Sequence, residues 1–222
     1  MSWKQPYPAY LFDLDGTLVD SAPDIHAALN HCLAAQDLPT VDLALTRDFV
    51  GMGSRALIHR ALTHHQIAPE RATEALIETM LEQFLAYYES NIAVYSRAFP
   101  GVEKTLQTLH TRGAKLAVVT NKYGHLTVKV LTELRLVSYF DLLVSSETTP
   151  KPKPAAAPAL YACDKFGFAP DEVLFIGDAA PDVGCARAAG CPVIVHRDGY
   201  NNGIGADKLG ADAVYSSVTE LL

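Results

Sequence analysis

Six short apolar runs punctuate this chain, and their spacing limits the fold more than any other feature. They are Tyr10–Phe12, Lys115–Thr120, Asp141–Val144, Val173–Ile176, Pro192–Val195 and Ala213–Tyr215. Most are separated by stretches of helical period, and strands alternating with helices build a parallel sheet covered on both faces. The expected class is therefore α/β, a Rossmann-like parallel sheet. One interval breaks the rhythm, because the first and second runs are separated by far more residues than the dozen or so that a parallel crossover needs.

That interval reads as helical. Ser21-Ala22-Pro23-Asp24 has the form of a helix start, with Ser21 as N-cap, and Ile25, Leu29, Cys32 and Leu33 follow at helical spacing. A second helix is expected over Val41–Val50. A third opens at Pro69-Glu70 and runs through Ala72, Leu76, Met80, Phe84 and Tyr87 on one stripe. The reading is an all-helical subdomain over residues 20–94, inserted into a catalytic core made of residues 1–19 and 95–222.

Composition narrows the partners. With 222 residues, 49% of them hydrophobic, the chain can bury a substantial core. Its formal charge of −7 argues against a nucleic-acid or anionic-membrane surface, both of which select clustered Lys and Arg. Cys32, Cys163, Cys185 and Cys191 form no CxxC pair, and His64-His65 has no third ligand at metal spacing, so neither a zinc site nor a disulfide framework is expected. The N-terminal residues lack the apolar core of a signal peptide, and no apolar run reaches the length of a membrane span. The expected location is cytoplasmic, as a monomer or homodimer.

Open parallel sheets collect ligands at the carboxyl ends of their strands, so the residues just after each run are the candidates for chemistry. The first run ends in Asp13-Leu14-Asp15-Gly16-Thr17. Side chains alternate along a strand, so Asp13 and Asp15 share a side, and two like charges there call for a compensating cation. The second run ends in Thr120-Asn121-Lys122, a hydroxyl, an amide and an ammonium. Val173–Ile176 is followed by Gly177-Asp178, with Asp182 four residues further at a helix start, and Lys151-Pro152-Lys153-Pro154 sets two ammonium groups in a stiff loop upstream.

Taken in order, these pieces resemble the motifs of the haloacid dehalogenase superfamily of phosphohydrolases: DxDGT, a Thr on the second strand, a Lys, then GDxxxD. Ser21-Ala22-Pro23-Asp24, Phe99-Pro100-Gly101-Val102 and Asp198-Gly199-Tyr200-Asn201 are similar to the phosphoglycolate phosphatase branch of that family, and the insert stands where that branch carries a helical cap. The resemblance implies Mg²⁺-dependent hydrolysis of a small phosphorylated metabolite through a phosphoaspartyl intermediate. Asp13 is then the nucleophile, and Asp15 the acid and base. Thr120, Asn121 and Lys153 contact the phosphoryl group. The metal is held by Asp13, the backbone carbonyl of Asp15, and Asp178, with Asp182 orienting the lysine from behind. Lys153 is preferred to Lys151 by its spacing to Pro158 and to the GD pair. Gly51-Met52-Gly53-Ser54-Arg55 reads as the cap's substrate loop, with Arg55 gripping a substrate carboxylate. The leading substrate is 2-phosphoglycolate. Sugar, amino-sugar or nucleoside phosphates, a phosphomutase, and a non-catalytic binding module are the alternatives.

Overall fold

The computed structural model describes residues 3–222. The first strand, β1 (Ala9–Phe12), is buried along its whole length, and a short strand β2 (Val19–Asp20) leads into four helices. These are α1 (Ala22–Ala34), α2 (Leu43–Phe49), α3 (Ser54–His64) and α4 (Glu74–Ser90). The chain returns through β3 (Arg97–Ala98), which pairs antiparallel with β2. Beyond it come α5 (Val102–Thr111), β4 (Lys115–Val119), α6 (Gly124–Glu133), β5 (Leu142–Val144), α7 (Ala157–Phe166), β6 (Val173–Gly177), α8 (Ala180–Ala189), β7 (Val193–His196) and β8 (Ala213–Tyr215). The six long-range strands form one parallel sheet in the order β5-β4-β1-β6-β7-β8.

Period-two alternation sorts each strand between two cores. Tyr10, Phe12, Leu116, Val118, Leu174, Ile176 and Ile194 face one way and join the side chains of α5, α6 and the inserted helices. Leu11, Ala117, Val119, Val173, Phe175, Val193 and Val195 face the other way, against α7 and α8. That second face is met by Ala159, Ala162, Cys163, Cys185 and Ala186, small residues that let both helices lie close to the sheet. Burying one Leu- or Phe-sized side chain in such a layer contributes about 1.5–3 kcal/mol.

Every expected strand is present, but the insert differs from expectation in three places. Ser21 precedes α1 without capping it: its Oγ donates to Asp15 instead, and Asp24, buried in the first turn, accepts from the Tyr95 and Ser96 amides and from the Ser96 hydroxyl. The acid therefore ties the outgoing chain to the returning one. The last cap helix starts at Glu74, not at Pro69-Glu70, because the Thr73 side chain accepts from Leu76 N and supplies the N-cap. Finally, Ser54–His64 is a helix that buries Leu57, Ile58, Ala61 and Leu62. No helix among the described residues is long and apolar enough to cross a membrane.

Candidate active site

β1 lies between β4 and β6, and Phe12 is in register with Val118 on one side and Ile176 on the other. Asp13 directly follows Phe12, while Thr120 and Asp178 lie two residues beyond Val118 and Ile176, so all three emerge at the same edge, where the strand order reverses. This register brings Asp13, Thr120 and Asp178 together. Asp13 N donates to Ile176 O at 2.8 Å and Thr120 N to Val144 O at 2.9 Å, so both residues continue the sheet's own ladder.

Lys153 reaches this edge from the loop before α7. Its ammonium, 2% exposed, lies 2.7 Å from Asp13 Oδ1 and 2.6 Å from Asp182 Oδ1, and donates to Val119 O at 2.8 Å. Three donors meet three acceptors, leaving the amine fixed. Lys151 is exposed, so of the two loop lysines only Lys153 reaches the cluster. Asp182 spends its other oxygen on the amides of Asp178 (3.1 Å) and Ala179 (3.0 Å), closing the first turn of α8 onto the strand end. A Cβ at Gly177 would collide with the Asp182 side chain, which explains the glycine ahead of Asp178.

Asp178 accepts from Thr17 Oγ1 and from Tyr200 N, both at 2.8 Å. Gly16 has φ +92°, and a Cβ there would overlap the Asp178 carboxylate. Asp13, Asp178 and Asp182 are all buried and offer oxygens within 4.8 Å of one another. Burial, then the neighbouring Asp182, pushes the Asp13 carboxyl up to about 7 against the pull of Lys153. Asp178 is raised well above the carboxylate range by burial and by both neighbouring acids. Burial alone would depress Lys153, but Asp13 and Asp182 outweigh it and keep the ammonium charged. With all three ionised, the carboxylates would outnumber the one ammonium, and that surplus fits an oxygen-seeking divalent cation. The expected set was Asp13, Asp15 and Asp178. The carboxylate cluster contains Asp182 and not the side chain of Asp15, whose expected share was its backbone carbonyl.

Asp15 is held elsewhere. Its carboxylate takes both contacts of Lys122 Nζ, at 2.7 and 3.0 Å, together with the Ser21 hydroxyl. Asn121 uses its side chain as a strut: Nδ2 donates to Gly51 O and Lys153 O, each at 3.0 Å, while Oδ1 accepts from Lys153 N. Thr120 Oγ1 accepts from Lys122 N at 3.2 Å.

Above these residues the inserted helices enclose a cavity of about 40 Å³. Asp13, Asp15, Thr120, Asn121 and Lys122 form its floor, and Ile25, Val50, Leu57, Phe84 and Tyr88 its roof. The Gly51–Ser54 segment lines it, as the sequence suggested, but Arg55 does not. Arg55 is 42% exposed and pairs with Glu74 and Glu78 on α4, because the first turn of α3 turns its side chain outward to that helix. Thr17, Tyr200 and Tyr88 belong to the site without having been singled out for it, whereas Lys122 is one of the candidates the end of the second run offered. Thr17 and Tyr200 fall inside motifs already noted, Lys122 directly follows Asn121, and Tyr88 sits on a stripe that reads as ordinary core.

A cluster of strand-end acids served by one buried lysine, under a helical lid, defines a class of hydrolase. Residues 10–196 match the family of haloacid dehalogenase-like hydrolases, and the chain belongs to it. Among its relatives is the phosphoglycolate phosphatase of Thiobacillus denitrificans, 38% identical over 219 residues, covering 99% of this chain and 96% of the relative. That of Haemophilus influenzae is 39% identical over 212 residues, 95% of each chain. A solved structure of a predicted phosphoglycolate phosphatase from Haemophilus somnus superimposes with a TM-score of 0.92 at 33% identity, covering 100% of this chain and 97% of the other. CbbY from Rhodobacter sphaeroides, solved with phosphate, shares the fold with a TM-score of 0.82 at 22% identity, over 97% and 96% of the two chains.

Proposed function

We propose that this protein is a cytoplasmic Mg²⁺-dependent phosphatase that hydrolyses 2-phosphoglycolate to glycolate and phosphate. The observation that carries the reading is the joining of Asp13, Asp178 and Asp182 to Lys153, with Asp13 also forming part of the floor of the cavity beneath the inserted helices. The names of the relatives support the substrate.

Asp13 and Asp178 would hold the cation, with the backbone carbonyl of Asp15 completing the chain's share; once bound it would offset the negative charge of nucleophile and phosphate and favour the ionised form of Asp13. An Asp13 oxygen attacks phosphorus and forms the acyl phosphate as the bond from phosphorus to the glycolate oxygen breaks. Asp15 gives its proton to that departing oxygen, then takes one from the water that attacks the same phosphorus, which releases phosphate and restores Asp13. Thr120 and the Asn121 backbone amide donate to the phosphoryl oxygens, and Lys153 balances the charge that develops on them. The cap excludes bulk water during the transfer.

The test is a panel of phosphomonoesters with Mg²⁺. The expected result is kcat/KM for 2-phosphoglycolate well above that for hexose phosphates and nucleoside monophosphates. Equal turnover across the panel removes the substrate assignment, and no turnover of any of them removes the activity.

A further inference from the structure

The cavity floor carries a second cation, to which the reaction outlined above gives no task beyond holding Asp15. Lys122 Nζ stands at the cavity edge, its side chain 7% exposed, and its contacts to Asp15 at 2.7 and 3.0 Å occupy at most two of the three N–H donors of an ammonium. It lies over the ring of Tyr88, 4.8 Å from the centroid. The Tyr88 hydroxyl is fully buried, and its O–H finds no acceptor among the described residues, because the Lys122 ammonium beside it can only donate; Tyr88 lines the same cavity. Leaving a buried hydroxyl unpaired costs free energy, and so does burying an ion pair. Both costs fall where floor and roof meet, in a cavity whose remaining roof is Ile25, Val50, Leu57 and Phe84.

We infer that Lys122 and the Tyr88 hydroxyl form the subsite that binds the carboxylate of the leaving group. This assignment rests on the phosphoglycolate reading and deepens it. The Lys122 ammonium and the Tyr88 O–H beside it would serve one anionic group, while the apolar roof holds the methylene between that group and the phosphate. Asp15 pulls the ammonium toward the bond being broken, so a leaving group that carries a carboxylate is drawn to the place where its bridging oxygen meets Asp15. Burial pushes the Tyr88 hydroxyl up to about 12, and it therefore keeps its proton and donates. Arg55, the cation expected to do this work, is engaged by Glu74 and Glu78.

The experiment compares 2-phosphoglycolate with 2-hydroxyethyl phosphate, in which a neutral hydroxymethyl group replaces the carboxylate. It is run on the wild type, Lys122→Met and Tyr88→Phe, with thermal melting to verify folding. Asp15 serves both substrates, so the ratio of the two kcat/KM values cancels any damage to Asp15 alone. The ratio is expected to fall by about 100-fold in Lys122→Met and about 10-fold in Tyr88→Phe, mainly through KM for phosphoglycolate. A ratio that holds within about threefold in Lys122→Met, or in Tyr88→Phe if the lysine variant does not fold, overturns the subsite. A wild-type ratio near one overturns the substrate assignment itself, a result distinct from the failure of the two residues.

Discussion

The floor and the roof of the cavity are held by different forces. The floor is ionic and placed by the sheet: Asp13 and Thr120 continue ladders already fixed by strand pairing, and behind them Lys153 is locked between two carboxylates. The roof is apolar and is secured to the core through side-chain amides that reach backbone carbonyls. Asn202 Nδ2 donates to Asp48 O at 3.0 Å and Val50 O at 2.6 Å, while Asn121 Nδ2 reaches Gly51 O. Where the chain crosses between floor and roof, the Tyr200 hydroxyl donates to Asp20 and accepts from Ala22 N, each at 2.8 Å. Charge in a fixed frame sets the chemistry, whereas a set of neutral bonds that can be made and broken sets access to it.

The largest effect expected from breaking the floor is at Asp13. Asp13→Asn removes the nucleophile with little change in volume, so phosphate release should fall by at least about 10⁴-fold while the melting temperature stays near or above that of the wild type. Residual release at a tenth of the normal rate would assign the attack to another group. Lys153→Met comes next, with a loss of about 10³-fold in kcat, because it removes the charge that offsets the developing phosphoryl oxygens. Lys151→Met, at an exposed position of the same loop, is the matching control and should leave kcat unchanged.

The raised carboxyls of the floor give a pH signature of their own. The folded, metal-free chain keeps a proton on Asp13 up to about pH 7 and favours one on Asp178, whereas an unfolded carboxyl releases its proton near pH 4. Between those values the folded state binds more protons, so stability falls as pH rises. Melting temperatures in a chelator should therefore decline from about pH 4 to about pH 7. Added Mg²⁺ favours the ionised acids and should raise the melting temperature more at pH 8 than at pH 5. An equal rise at both values would place the cation away from Asp13 and Asp178.

Breaking the roof should cost less. Asn202→Ala loses two bonds to the Asp48 and Val50 carbonyls, and the expected result is an increase of about fivefold in KM for phosphoglycolate with a smaller change in kcat. A loss confined to kcat would make Asn202 part of the chemical machinery instead.

This contrast also explains what the sequence disclosed. The floor was legible because strand register turns chemistry into spacing: Asp13, Thr120 and Asp178 each stand just beyond an apolar run, and Lys153 lies upstream of the last. The roof was only partly legible. Gly51 and Gly53, at φ +118° and +87°, read as a loop and hid the helix that begins directly after them, although Leu57, Ile58, Ala61 and Leu62 carry its period. Ser21 and Asp24 match an N-cap signature, yet burial beside Asp15 and beside the Tyr95-Ser96 turn gave both side chains better partners. Bonds from Asn202 or Tyr200 to distant backbone leave no pattern that a linear reading can find.

Arg55 and Lys122 put the comparison to its finest test, since each could hold a substrate carboxylate and only one faces the cavity. Arg55 is exposed, and its two partners, Glu74 and Glu78, are more exposed still, so solvent and salt screen the pairs and little stability depends on them. Arg55→Ala should therefore leave kcat/KM for 2-phosphoglycolate within about twofold and the melting temperature nearly unchanged. A tenfold rise in KM confined to carboxylated substrates would mean that α3 turns inward when the cavity is filled. The roof would then supply a charge of its own, and the division between an ionic floor and a neutral roof would fail at that residue.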